Sequence, residues 1–248
     1  VANVAVGYNN IDVVGAGMRK VIVTNTRGVL TVAAADPTWA LILATTRRLV
    51  EGVDLVRGGK WTGWHPEQLL GLELRGRTLG LFGAGRIGQA VGRRAPGFGL
   101  RLLYSARTVK SEFEEETGAI RVDQRRLLRE SDILSLHVPA APETKGIINA
   151  ESLARMKAGA ILINTARGDL VREEALAESL ESGHLGAAGL DVYAEEPRIH
   201  PRLLAAPRTV LLRQLGRATL ETRRKMATIA VANVQSVLTG RPPLTPVY

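Results

Sequence analysis

One stretch decides the fold: Thr78-Leu79-Gly80-Leu81-Phe82-Gly83-Ala84-Gly85-Arg86-Ile87-Gly88-Gln89-Ala90-Val91. Thr78–Phe82 reads as a short strand buried on both faces, and Arg86 opens a run with helical spacing. Between them lies GxGxxG, and this strand–turn–helix setting gives the motif its meaning. Gly83 permits the tight turn, and Gly85 lets backbone amides approach a pyrophosphate. Gly88 allows the helix to pack closely on the strand. Arg86 and Ile87 begin that helix, where free N–H donors and the positive dipole end favour an anion.

Outward from this turn, strands and helices alternate. β-rich runs recur at Arg101–Tyr104, Ile133–His137, Ala160–Asn164, Ala187–Asp191 and Thr209–Leu212. Helix-period segments fall at Arg86–Ala95, Asp123–Glu130, Asn149–Met156, Arg172–Ser182 and Ala218–Leu238, and Gly183 stands where a helix C-terminal glycine would. This alternation predicts an α/β fold with a doubly wound parallel sheet covered on both faces. Upstream, Thr31 to Arg57 has helical spacing and Thr31 as a candidate N-cap. Pro37 would sit inside that helix at a cost of about 3 kcal/mol. A later start, near Asp36-Pro37 with proline at the first helical position, is the expectation.

The chain has 248 residues, 45% hydrophobic and 23% charged, enough for a sizeable core. No run of 18 apolar residues occurs, and Val1–Asn10 has no basic leader, which argues against membrane and secretory readings. Cysteine is absent, which excludes disulfides and thiolate metal sites and fits a reducing cytoplasm. No HExxH or His pair at i,i+4 suggests a metal. The net charge of +9 favours anionic partners. Its arginines are scattered and aromatics are only 4%, so a nucleic-acid surface with stacking platforms is disfavoured. There is no GxSxG for a serine hydrolase, and the acidic run Glu112–Glu116 reads as a solvated helix face.

A site for NAD ordinarily places an acid at the end of the second strand, on the ribose 2′-hydroxyl. From Gln89 to Lys110 there is no acidic residue, and that strand ends Tyr104-Ser105-Ala106-Arg107-Thr108. Ser105, Arg107 and Thr108 offer hydroxyls and a guanidinium to a 2′-phosphate, with no carboxylate to repel it. The expectation is NADP in preference to NAD.

Four further segments accompany the glycine turn, in order: Val6-Gly7-Tyr8-Asn9-Asn10-Ile11-Asp12; Ser135-Leu136-His137-Val138-Pro139 with Pro142-Glu143-Thr144; Ile163-Asn164-Thr165-Ala166-Arg167-Gly168; and Gly189-Leu190-Asp191-Val192-Tyr193-Ala194-Glu195-Glu196-Pro197. Together they resemble the D-isomer-specific 2-hydroxyacid dehydrogenases, most closely the glyoxylate/hydroxypyruvate reductase branch, from about Val6 to the C-terminus. The resemblance implies a Rossmann domain over residues 30–216. It also implies a partial, flavodoxin-like substrate domain from residues 1–29 and 217–248. Arg167 would bind the substrate carboxylate and polarise the adjacent carbonyl, with the Val6-Gly7 backbone on the other side. Asp191 would contact the nicotinamide carboxamide. His137, Val138, Pro139, Thr144, Thr165, Ala166 and Gly216 would line the coenzyme, and Glu196 would pair with the catalytic histidine. A small 2-oxo or 2-hydroxy acid and a homodimer are implied as partners, with Trp39–Ala44, Trp61 and Trp64 as candidate dimer contacts.

The chain departs from the family where the proton donor belongs. Against Pro-His-x-Gly-Ser-Ala-Thr stands Arg213-Gln214-Leu215-Gly216-Arg217-Ala218-Thr219. Gln214 can donate a hydrogen bond but cannot supply a proton at neutral pH. A positioned general acid is worth roughly 10²–10⁴-fold, so impaired turnover is expected. None of His65, His137, His184 and His200 is an obvious substitute. Arg27 replaces a family proline, and the family's longer substrate-domain portion before Val6 is not in this sequence, as in a truncated or degenerate member. The competing expectation is a catalytically silent nucleotide-binding or interaction protein.

Overall fold

The structure, a computed structural model, describes residues 1–8 and 10–247; Asn9 of the first accompanying segment quoted above, Tyr248, and the side chain of Arg217 lie outside the described residues. The chain divides into two compact units, Ala35–Leu215 and a smaller one formed by 1–34 with 216–248.

The larger unit is built on a seven-stranded sheet, every pairing parallel, in the order β3-β2-β1-β4-β5-β6-β7. Its strands are β1 Thr78–Phe82, β2 Arg101–Ser105, β3 Ile120–Arg121, β4 Ile133–Leu136, β5 Ile161–Asn164, β6 Ala187–Leu190 and β7 Thr209–Leu211. Six of these match expected runs within a residue or so. β3 was not expected: two exposed residues carry no periodicity to read.

The helices, in chain order, are α1 Val13–Met18, α2 Thr31–Thr46, α3 Leu49–Arg57, α4 Arg86–Gly92, α5 Ser111–Thr117, α6 Gln124–Glu130, α7 Ala150–Ala154, α8 Glu173–Glu181, α9 Pro201–Ala205 and α10 Leu220–Leu238. Side-chain caps start several of them. Asp123 accepts from the Arg126 N–H at 2.7 Å, Asn149 from Ser152 at 3.1 Å, and Thr219 from Thr222 at 3.2 Å. Gly183 ends α8 with φ +74°, the left-handed geometry that glycine adopts without strain.

Alternation along the strands separates two cores. Leu103, Leu134, Leu136, Leu162 and Leu190 pack on one face with Leu127 of α6, Leu153 of α7 and Leu176 and Leu180 of α8. Leu79, Leu81, Leu102, Tyr104, Ile133, Ile161 and Ile163 pack on the other with Leu41 and Ile42 of α2, Val91 of α4 and Phe113 of α5. The period of two sends neighbours to opposite faces, as a sheet covered on both sides requires.

Two expectations about α2 are overturned. The helix starts at Thr31 and carries Pro37 in its interior, so Thr31 is its first residue rather than its cap. The Ala34 N–H donates to the Leu30 carbonyl at 2.8 Å, and the extra turn contains the buried Ala35. One missing proline N–H is tolerated because the rest of the helix is held by its buried face. Nor is Trp39 a free contact surface. It is 5% exposed, stacks on Phe98 at 4.4 Å and donates from Nε1 to the Val91 carbonyl at 3.0 Å. Leu41 and Ile42 are likewise buried, so the large side chains of this stretch belong to the core while Ala40 is exposed. Trp61 and Trp64 are exposed, at 58% and 84%.

In the smaller unit, Thr24 bridges Ala2 on one side and Pro246 on the other. Buried Asn233 of α10 accepts from the Leu244 and Thr245 N–H groups and donates to the Thr245 hydroxyl. That hydroxyl donates in turn to the Asn25 carbonyl, 220 positions away. Val14 and Met18 of α1 and Leu220 and Leu238 of α10 are exposed apolar residues of this unit.

Candidate active site

The order of the sheet reverses between β1 and β4, the place where open parallel sheets bind ligands beyond the carboxyl ends of their strands. The glycine turn lies there. Gly83, at φ +105°, donates its N–H to the Ser105 carbonyl at the end of β2, at 3.0 Å. The His137 N–H at the end of β4 donates to the Phe82 carbonyl at 2.8 Å. A Cβ at Gly83 would stand 2.8 Å from the His137 backbone and 2.9 Å from Val138 Cγ1, and one at Gly88 would stand 2.2 Å from the Gly83 carbonyl oxygen. A Cβ at Gly85 would meet nothing within 4 Å. Two glycines are therefore demanded by packing. The middle one opens onto free space at the start of α4, where a dinucleotide pyrophosphate fits.

The flanking coenzyme candidates are braced from below. The His137 imidazole shares a hydrogen bond of 2.9 Å with the Ser135 hydroxyl, and desolvation lowers its pKa to about 4, so it is neutral at physiological pH. Thr144 donates to the Pro139 carbonyl at 2.8 Å and accepts from the Ala141 N–H, which closes the loop after β4. At the end of β2, Ser105 is half-buried and Arg107 and Thr108 are exposed.

Beyond β5, buried Asn164 shapes the turn that carries Thr165, Ala166 and Arg167. Its amide donates to the Arg167 carbonyl at 2.8 Å, and its oxygen accepts from the Ala166 N–H. Thr165 meets Thr38 of α2, hydroxyl to hydroxyl, at 2.8 Å. The half-buried Arg167 guanidinium donates to the Ala166 carbonyl at 2.6 Å. Gly168 is pressed so closely on Tyr193 that a Cβ would overlap the Tyr193 carbonyl. This seats the Arg167 turn directly on the loop after β6.

That loop holds the acids. Asp191, 2% exposed, accepts from the Leu215 N–H at 2.7 Å, and its carbonyl accepts from the Gln214 N–H. Glu196, preceding a cis peptide bond to Pro197, accepts from the Tyr193 N–H at 3.0 Å and from the Gln214 side-chain amide. Gln214 thus occupies the expected partner position, at φ +47°. Burial, with the charges of Asp191, Glu173 and Glu196, raises the Tyr193 phenol to about 12, and its hydroxyl donates to the Leu212 carbonyl. The histidines are engaged elsewhere: His65 Nδ1 with the Glu67 N–H, His184 Nε2 with the Leu153 carbonyl. Only the backbone N–H of His200 is engaged, by Glu173, which also holds the Ala194 N–H at 2.7 Å; the His200 imidazole Nδ1 is buried without a hydrogen-bond partner among the described residues.

In the smaller unit the Val6 carbonyl accepts from the Asn25 side chain at 2.9 Å and the Gly7 carbonyl from Asn3 at 2.8 Å. The N–H groups of Val6 and Gly7 meet no acceptor among the described residues. Gly216 lies in the short 3-10 turn Leu215–Arg217. Asn164, Ser135 and Glu173 escaped sequence reasoning. Each acts through a neighbour, and only Asn164 and Ser135 stand inside a quoted motif.

Parallel order, glycine turn and the acids beyond β6 define a nucleotide-binding dehydrogenase class of α/β protein. Residues 39–213 match the model of the D-isomer specific 2-hydroxyacid dehydrogenase NAD binding domain, and the chain belongs to that family. It is 48% identical over 247 residues to a glyoxylate reductase of Thermococcus litoralis, covering 98% of this chain and 75% of that protein. A crystal structure of a protein from Thermus thermophilus superposes with TM-score 0.93 at 50% identity, over 100% of this chain and 78% of that one. The NADPH-dependent glyoxylate/hydroxypyruvate reductase of Sinorhizobium meliloti, solved with NADP and malonate, gives TM-score 0.92 at 38% identity, over 100% and 76%. Among the described residues no helix is long and apolar enough to cross a membrane.

Proposed function

We propose that the protein reduces small 2-oxo acids such as glyoxylate or hydroxypyruvate, prefers NADPH, and turns over slowly because Gln214 stands where the family has histidine. The observation that carries this is the set of groups at the carboxyl ends of the strands: the glycine turn after β1, Arg167 after β5, and Asp191 and Glu196 after β6. The names of the Thermococcus and Sinorhizobium relatives support the substrate class. When bound, the reduced nicotinamide supplies a hydride to the substrate's C2.

The chain's own residues do the rest. The Arg167 fork binds the carboxylate and draws electron density from the neighbouring carbonyl. Asp191 accepts from the carboxamide, which orients the nicotinamide ring, while Gly83, Gly85, Arg86, Ile87 and Gly88 hold the pyrophosphate. Gln214, held by Glu196, donates a hydrogen bond to the carbonyl oxygen and stabilises developing negative charge there. It has no proton to give up at neutral pH, so water must protonate the alkoxide.

NADPH oxidation with glyoxylate or hydroxypyruvate tests the reading, and a slow, saturable rate is expected. Gln214→His restores an acid beside Glu196 and should raise kcat by about 10²-fold or more. The Glu196–Gln214 hydrogen bond also favours a second reading, a silent nucleotide-binding or interaction protein. NADPH binding with no oxidation by either form would select that reading and dismiss the reductase.

A further inference from the structure

The end of β2 carries more positive charge, and more scaffolding, than Arg107 alone. Arg121, on the edge strand β3, reaches across the sheet margin. Its Nε donates to the Ala106 carbonyl at 3.0 Å and its Nη2 to the Arg107 carbonyl at 3.1 Å. A guanidinium has five N–H groups, so three remain, and Arg121 has no carboxylate partner among the described residues. On the other side of the loop, the buried Tyr104 hydroxyl accepts the Lys110 N–H at 2.9 Å, and Lys110 Nζ donates to the Thr108 hydroxyl at 2.7 Å. Glu114 of α5 accepts from the Tyr104 hydroxyl at 2.7 Å. The same segment is tied to the glycine turn, because the Ser105 carbonyl accepts from Gly83.

Building on the NADPH preference proposed above, we infer that Arg121 is a positioning residue for the coenzyme's 2′-phosphate: it holds the Ala106–Arg107 backbone and adds a second guanidinium to that subsite, with Lys110 as a third cation. A planar fork suits this double task, since two N–H groups can fix the loop while others face a dianion. An ammonium at position 121 would keep the charge and lose the paired hold on the carbonyls. The structural role of Arg121 is local, because the residue is exposed and its neighbours on β2 are paired by backbone bonds.

Dissociation constants for NADPH and NADH at low ionic strength test the inference, with Arg121→Met, Arg121→Lys and Arg107→Ala compared against the wild type. Arg121→Met should weaken NADPH by about five- to tenfold while changing NADH less than about twofold, a gap that narrows in high salt. Arg121→Lys should fall between wild type and Arg121→Met. Equal weakening of both coenzymes by Arg121→Met, or no weakening, overturns the inference, and a fully native Arg121→Lys overturns the positioning role. The underlying preference fails separately: wild type binding NADH as tightly as NADPH, or Arg107→Ala keeping the wild-type ratio, would sink it.

Discussion

The three glycines of the turn differ in what a side chain would do to each, and that difference is measurable. At Gly88 a Cβ would press on the Gly83 carbonyl at 2.2 Å, so Gly88→Ala should destabilise the larger unit by about 1–3 kcal/mol and shift its thermal midpoint. At Gly85 there is open space, so Gly85→Val should leave the midpoint nearly unchanged yet abolish coenzyme binding in a fluorescence titration. If Gly85→Val bound NADPH normally, the pyrophosphate would lie elsewhere. His137 offers a pH test. Its folded pKa of about 4 lies below the ordinary 6.5, so the unfolded chain binds the extra proton between those values. The stability it contributes is complete above pH 6.5 and is lost as pH falls towards 4, at most about 3 kcal/mol. In denaturant titrations, His137→Gln should flatten the dependence of unfolding free energy across that window. An unchanged slope would show that other groups govern it.

At the scale of elements, α2 keeps a proline that helix physics disfavours. Pro37→Ala supplies the N–H that the Ala33 carbonyl lacks and removes the ring clash. The gain should be about 2 kcal/mol after allowing for the freer unfolded chain, with a midpoint several degrees higher. An unchanged or lowered midpoint would mean that the ring's own packing outweighs the lost bond. The elements also divide into legible and illegible ones. β1, β2, β4 and β5 announce themselves as apolar runs broken by glycine or polar turns, and the glycine spacing after β1 is readable because each glycine has a separate mechanical reason. β3 is too short to carry a pattern, and the start of α2 depends on burial of Ala35, which local propensity does not know about. The same limit applies to the site. Gly83, Arg107, Arg167, Asp191 and Glu196 stand in motifs, whereas Arg121 and Glu173 matter through partners 14 to 27 positions away.

For the molecule as a whole, we propose a homodimer that rests on Trp61 and Trp64 without Trp39. With Trp39 in the core, the candidates are Trp61 and Trp64 with Val53 and Val56 of α3, all exposed. Sedimentation should give twice the chain mass of 26.7 kDa, and Trp61→Ser with Trp64→Ser should shift the species towards that single mass. A wild-type monomer would refute the dimer.

The hydrogen bond from the Thr245 hydroxyl to the Asn25 carbonyl has a consequence for how the polypeptide is made. The strands of the parallel sheet can pair as they leave the ribosome, each soon after its neighbour. Residues 1–34 have no such luxury: Val23, Thr24 and Asn25 pair with Val247, Pro246 and Thr245, more than 200 positions later. Residues 1–34 are thus locked only after the segment around Thr245 has been made, and until then they stay open to proteases and chaperones.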